Sequence, residues 1–125
     1  MAIVNQRKEI LWQLAAEFAE SGKDEYPAYW DRLARQIKND AAWKCEICGH
    51  PHDPKNGYTL TVHHLIETKS LCLRWNLAAL CQRCHLRIQG RLDLYREVSQ
   101  FQFLPLPGWL VPHLEGFKEW RKGKK

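Results

Sequence analysis

Two CxxC pairs, Cys45-Glu46-Ile47-Cys48 and Cys81-Gln82-Arg83-Cys84, constrain this chain more than any other feature. Each pair can clamp one edge of a tetrahedral ion, so four thiolates make a closed structural Zn²⁺ site. The competing readings are a redox CxxC or chance spacing. Two pairs in one chain whose first residues, 1–9, lack the apolar core of a secretion signal favour the metal over both, and over a disulfide framework. The 32 residues from 49 to 80 leave room for a β-hairpin before the chain returns to the ion. Cys72, the unpaired cysteine, reads as a small buried hydrophobe.

A staple matters because the chain is short. Its 125 residues suit one domain, and a core of that size gains much from a cross-link. The expected organisation is a single domain, 1–125, with a helical arm over 1–41, a stapled core over 42–98 and an extension over 99–125. Helical spacing joins Ile10, Leu14 and Phe18 behind Asn5 as a cap, and Ser21-Gly22-Lys23-Asp24 reads as a turn. A second helix is expected from near Pro27, with Trp30, Leu33, Ala34 and Ile37 as its apolar stripe. Tyr58 to Ile66 alternates like a strand, and Leu71 to Trp75 is a candidate second strand. Cys81 opens a helix expected to run to about Val98, weakened at Gly90. After the stiff Leu104-Pro105-Leu106-Pro107-Gly108 crossing, a short helix is expected from Val111 to Arg121.

Lys and Arg outnumber Asp and Glu by 19 to 14, a net charge of +5 that suits a polyanionic partner without proving one. The chain contains no run of 18 apolar residues, so a membrane span is not expected and a cytoplasmic location is.

Between the cysteine pairs lie His63, His64 and Asn76, and His85 follows Cys84 directly. Taken singly each has an ordinary explanation; Asn76, for instance, can cap a helix beginning at Leu77. Together they have another, because the staple closes on the turn that carries His85 and encloses the hairpin that carries His63 and His64. Phosphodiester hydrolysis needs a cation on the scissile phosphate, a base active near neutral pH and a group that orients the base. Two ligating histidines, one base histidine and one Asn fill those roles.

The stretches CEIC, LTVHHLIE and RWNLAALCQRCHLRI resemble the HNH endonuclease family in its four-cysteine form, over about Trp43 to Leu92. The resemblance implies an α+β fold: a ββα-metal core stapled by a four-cysteine zinc site, flanked by N-terminal helices and a short C-terminal helix. It also implies His64 as general base, His63 and His85 as ligands of a catalytic divalent metal, and Asn76 as the residue that fixes the loop and the base. His85 lies nine positions after Asn76, a spacing that resembles bacterial toxin nucleases of the same superfamily. Where some relatives place a further ligating histidine one turn after His85, this chain has Gln89. With so many open positions, Mg²⁺ or Mn²⁺ suits the site at least as well as Zn²⁺, and Ni²⁺ would also serve. On a regular strand His63 and His64 face opposite ways, so both reach one phosphate only if the strand twists or ends there.

Arg83, Arg87 and Arg91 recur every fourth residue, and with Arg74 and Lys69 they offer phosphate contacts or simply a solvated surface. His50 and His52 are either exposed or in touch with substrate, and His113 reads as structural. The expected partner is nucleic acid, double-stranded DNA first, for a monomer or weak homodimer. The rival expectation is a non-catalytic zinc module that binds nucleic acid or protein.

Overall fold

The computed structural model describes residues 12–19, 25–89 and 107–123. Expectations that fall on Asn5, Ile10, the turn at residues 21–24, the helix beyond residue 89 with Arg91, and the crossing at residues 104–106 lie outside them.

Helix α1 covers residues 12–19. Its inward face differs from the expected stripe: Leu14 is 44% exposed, while Ala15 is buried and Trp12 packs on the core. Trp12 and Ala15 are three apart, so turning the larger indole inward carries Leu14 out to solvent. Helix α2, Trp30–Asp40, buries Leu33 and Ile37, one turn apart, against both strands of the sheet. It ends in two left-handed residues, Ala42 (φ 54°) and Trp43 (φ 58°). The Trp43 amide donates to the Lys38 carbonyl at 2.9 Å and its indole to Asn39 Oδ1 at 2.8 Å, which holds this costly turn in place.

The first cysteine pair follows at once. A bridge between Lys44 and Pro51 frames it, the Cys45 amide donates to the His50 carbonyl, and Gly49 at φ 76° supplies the reversal. Strand β1, Leu60–His64, then pairs antiparallel with β2, Leu77–Cys81, with Thr61 opposite Leu80 and His63 opposite Ala78. Helix α3, Gln82–Ile88, starts directly after β2, so the central order is ββα. The fold is α+β.

Two expectations about this region are corrected. The second strand is Leu77–Cys81 rather than Leu71 to Trp75, and the residues before it form a 3-10 turn, Arg74–Asn76. Asn76 therefore caps no helix. Leu-Ala-Ala-Leu favours helix on intrinsic propensity, but every residue of this run is buried, and pairing with β1 under α2 overrides the preference.

Helix α4, Val111–Lys122, closes over the 3-10 turn. Phe117 and Trp120 pack on Trp75 with ring centroids 5.4 and 5.3 Å away. His113 links three pieces: Nδ1 lies 2.7 Å from the Trp75 carbonyl, and Nε2 lies 2.7 Å from Glu46 Oε1. The other oxygen of Glu46 accepts the Ala79 amide at 2.6 Å, so one carboxylate ties the cysteine knuckle to β2 and α4.

Candidate active site and metal centre

The four cysteines converge. Cys45 and Cys48 come from the knuckle, Cys81 from the last position of β2 and Cys84 from the first turn of α3, and their sulfurs all lie within 4.8 Å of one another. Cys48 Sγ and Cys81 Sγ are 3.8 Å apart. A tetrahedral ion with Zn–S bonds of about 2.3 Å places its sulfurs about 3.8 Å apart, so the cage has the size such an ion needs. Burial pushes the Cys45 thiol up, but the amides of Cys48, Cys81 and Ile47 outweigh it and bring the thiol down to about 7. Burial pushes the Cys48 and Cys84 thiols up instead, so an ion bound in the cage would displace their protons.

The histidines meet at a separate cavity of about 270 Å³, lined by Tyr26, His63, His64, Lys69, His85 and Gln89 among others. His63 Nδ1 lies 3.0 Å from His85 Nε2. Thr61, two positions before His63 and so on the same face of β1, settles which nitrogen of His85 is available. Its hydroxyl proton goes to the Leu80 carbonyl at 2.7 Å, so its oxygen accepts from His85 Nδ1–H at 2.9 Å. His85 Nε2 then carries a lone pair directed at His63. Two imidazole nitrogens 3.0 Å apart match adjacent positions on one ion with bonds of about 2.1 Å. Among the described residues no third Cys, His, Asp or Glu joins this pair as closely, so waters and substrate oxygens would fill the shell. The remaining nitrogen of His63, Nε2, is buried with no hydrogen-bond partner among the described residues.

His64 is the last residue of β1, and the strand ends there because Asn76 takes over the backbone that follows. Asn76, fully buried, accepts the Ile66 amide at 2.7 Å and donates to the Ile66 and Leu71 carbonyls at 3.1 and 2.8 Å. It makes no hydrogen bond to His64 among the described residues; the link runs through the clamped loop. That loop brings Cys72 Sγ to 3.3 Å from His64 Nε2, and the thiol itself donates to the Lys69 carbonyl at 3.0 Å. A sulfur that has given away its proton accepts, so Nε2 carries the hydrogen of His64 and Nδ1 is the basic nitrogen. Trp30 stacks on the ring at 5.0 Å. Burial pushes both His63 and His64 down to about 4, with the charge of His85 and His64 adding to the shift at His63 and the Lys69 carbonyl opposing it at His64. His85 is lowered as well, by burial, against a raising influence from Glu67. All three rings are neutral near pH 7, the state in which imidazole accepts a proton or a metal.

The arginines divide. The Arg83 guanidinium donates to the Asn56 and Gly57 carbonyls at 3.1 and 3.2 Å and lies over the Tyr58 ring, holding the loop before β1. Arg74 pairs with Asp40 at 2.7 Å and lines a larger cleft of about 480 Å³ with Trp75 and His113, which includes none of His63, His64 and His85. Arg87 is exposed on α3. His52 accepts the Leu60 amide at 2.9 Å and His50 stacks on Tyr58 at 3.5 Å, so both support the loop. Sequence reading missed Thr61, Cys72, Tyr26 and Trp30. Only Thr61 left a signal, its two-residue spacing from His63.

No helix among the described residues is long and apolar enough to cross a membrane. No curated protein and no solved structure gives a significant match to the chain. Residues 45–91 match the family model described as HNH endonuclease. Those residues contain both cysteine pairs, β1, β2, α3 and the three converging histidines, so the part of the chain similar to the HNH endonuclease family is the part that carries both candidate sites.

Proposed function

We propose that this chain is a metal-dependent endonuclease that hydrolyses phosphodiester bonds in nucleic acid, with DNA as its substrate. The observation that carries the reading is one cavity holding two imidazole nitrogens 3.0 Å apart and a third imidazole whose N–H faces the protein. His63 and His85 would hold a divalent ion, Mg²⁺ or Mn²⁺ by preference, and Cys45, Cys48, Cys81 and Cys84 a structural Zn²⁺. The bound divalent ion supplies charge stabilisation for the phosphate and the leaving oxygen. His64 takes the proton of the attacking water at Nδ1, while Cys72 and the Lys69 carbonyl keep the ring turned towards it. Asn76 holds the loop that carries both. By family resemblance the products end in 5′-phosphate and 3′-hydroxyl. Arg87, exposed on α3, and Lys69, which lines the cavity, are the cations that would meet the backbone.

The test is incubation of the zinc-loaded protein with plasmid DNA and Mg²⁺ or Mn²⁺. Cleavage is expected, with His64→Ala reducing the rate by about 10²–10⁴-fold, the usual worth of a general base. Absence of cleavage under every divalent ion, or full activity in His64→Ala, overturns the proposal and leaves a zinc-stapled binding module.

A further inference from the structure

The outer wall of the histidine cavity carries a ring that hydrolysis does not use. Tyr26 is 48% exposed and lines the cavity beside His63, His64 and Lys69. It stacks on Trp30 with centroids 5.0 Å apart and planes at 27°, and Trp30 stacks on His64 at 5.0 Å and 28°. Tyr26 also lies 5.7 Å from the His64 ring, so the three rings form a closed cluster with Tyr26 as its solvent-facing corner. The ammonium of Lys69 sits 5.6 Å from the Tyr26 centroid, at the same cavity edge.

We infer that the Tyr26 corner of this cluster is a nucleobase platform: an unpaired base beside the scissile phosphate stacks on Tyr26, with the Lys69 ammonium adding positive charge at the same cavity edge. The inference rests on the nucleic-acid reading of the cavity and adds a substrate class to it. Aromatic side chains take any base on its π-face, and a backing ring that is itself packed keeps the platform from collapsing when it is empty. A continuous duplex hides its base faces inside the stack and offers Tyr26 only sugar and phosphate. Single-stranded or locally unpaired segments expose the face that the ring can hold.

Binding without cleavage tests this. A short thymidine oligonucleotide and a fully abasic oligonucleotide of equal length carry the same phosphates and differ only in bases. Anisotropy titrations of both, on zinc-loaded protein without added Mg²⁺ or Mn²⁺, read the stacking directly. The wild type is expected to prefer the thymidine strand by about 5- to 150-fold, from about 1–3 kcal/mol per stacked base. Tyr26→Ala should erase most of that preference and Tyr26→Phe should keep it. Equal affinity of the wild type for both strands, or an unchanged preference in Tyr26→Ala, overturns the platform while leaving nucleic-acid binding intact. If neither strand binds, the nucleic-acid reading falls with it.

Discussion

Thr61 has one hydroxyl proton, and its destination decides what His85 can do. Because the Leu80 carbonyl receives it, His85 is held as the Nδ1–H tautomer with its other nitrogen open to the cavity. Thr61→Val keeps the shape of the side chain and removes that bond. Mn²⁺ affinity, measured by titration calorimetry on the zinc-loaded protein, should fall by about 10–100-fold, the usual effect of losing a bond behind a ligand. Unchanged affinity would mean that His85 is not a ligand or needs no support. Cys72 stands in the same relation to His64. Cys72→Ser should retain the Nε2–H tautomer and most activity, whereas Cys72→Val should lower cleavage at least ~10-fold and mix the tautomers. Nitrogen-15 shifts of the His64 ring separate these outcomes, and a wild-type ring in Cys72→Val would count against the role. The same burial that keeps His63 and His64 neutral has a cost in acid. Their folded values sit near 4 against about 6.5 in the unfolded chain, so the unfolded state binds more protons between those limits. Stability is fully present above about pH 6.5 and falls as the pH drops towards 4. His64→Gln should flatten that fall in thermal melts, and an identical slope in both proteins would refute the assignment.

Two elements meet with almost no room between them. A Cβ at Gly116 of α4 would collide with the Cβ of Trp75 and lie 3.0 Å from its Cγ. Gly to Ala inside a helix ordinarily stabilises by about 1 kcal/mol. Here the neighbour is the root of a packed indole that cannot swing aside, so Gly116→Ala should destabilise by about 1–3 kcal/mol in urea unfolding. A gain in stability would show that α4 stands further from the 3-10 turn. This packing was not legible in the sequence, where Gly116 is simply a glycine in a helix. The sequence patterns that did read through are those set by local period: α2 with Leu33 and Ile37, α4 within a residue of its expected end, and β1 inside its expected alternation. Strand β2 was misplaced because a strand buried along its whole length has no alternation to display, and its Leu and Ala residues look helical. In the cavity, His63, His64 and His85 could be gathered from the order of motifs, but Cys72 and Trp30 could not. Their contacts to His64 depend on how Asn76 folds the loop and how α2 crosses the sheet, neither of which leaves a periodic trace.

At the scale of the whole molecule, the cysteine cage and the histidine cavity are different in kind, yet one depends on the other. Cys81 ends β2, Cys84 lies in the first turn of α3, and His85 is the next residue, so whatever fixes the cage also fixes the position of one proposed ligand. Cys45 and Cys48 tie the far side of the cage to the knuckle, which Glu46 joins to both β2 and α4. Loss of the ion should therefore loosen more than the knuckle. It frees four thiols, three of them buried, in a core that a chain of 125 residues can hardly replace with apolar area elsewhere. Chelation of zinc is expected to lower Tm by more than ~10 °C and to shift the fluorescence of the six tryptophans to the red. Elemental analysis of the untreated protein should give about one zinc per chain, as a single four-thiolate cage requires. Cys48→Ser is the sharper probe, because Cys48 is the exposed ligand and its replacement leaves no cavity. If that variant binds zinc and melts like the wild type, the cage is not the staple of this fold. If it melts early and regains Mn²⁺-dependent cleavage only when cooled or zinc-loaded, the structural ion supports the catalytic one through the β2–α3 junction.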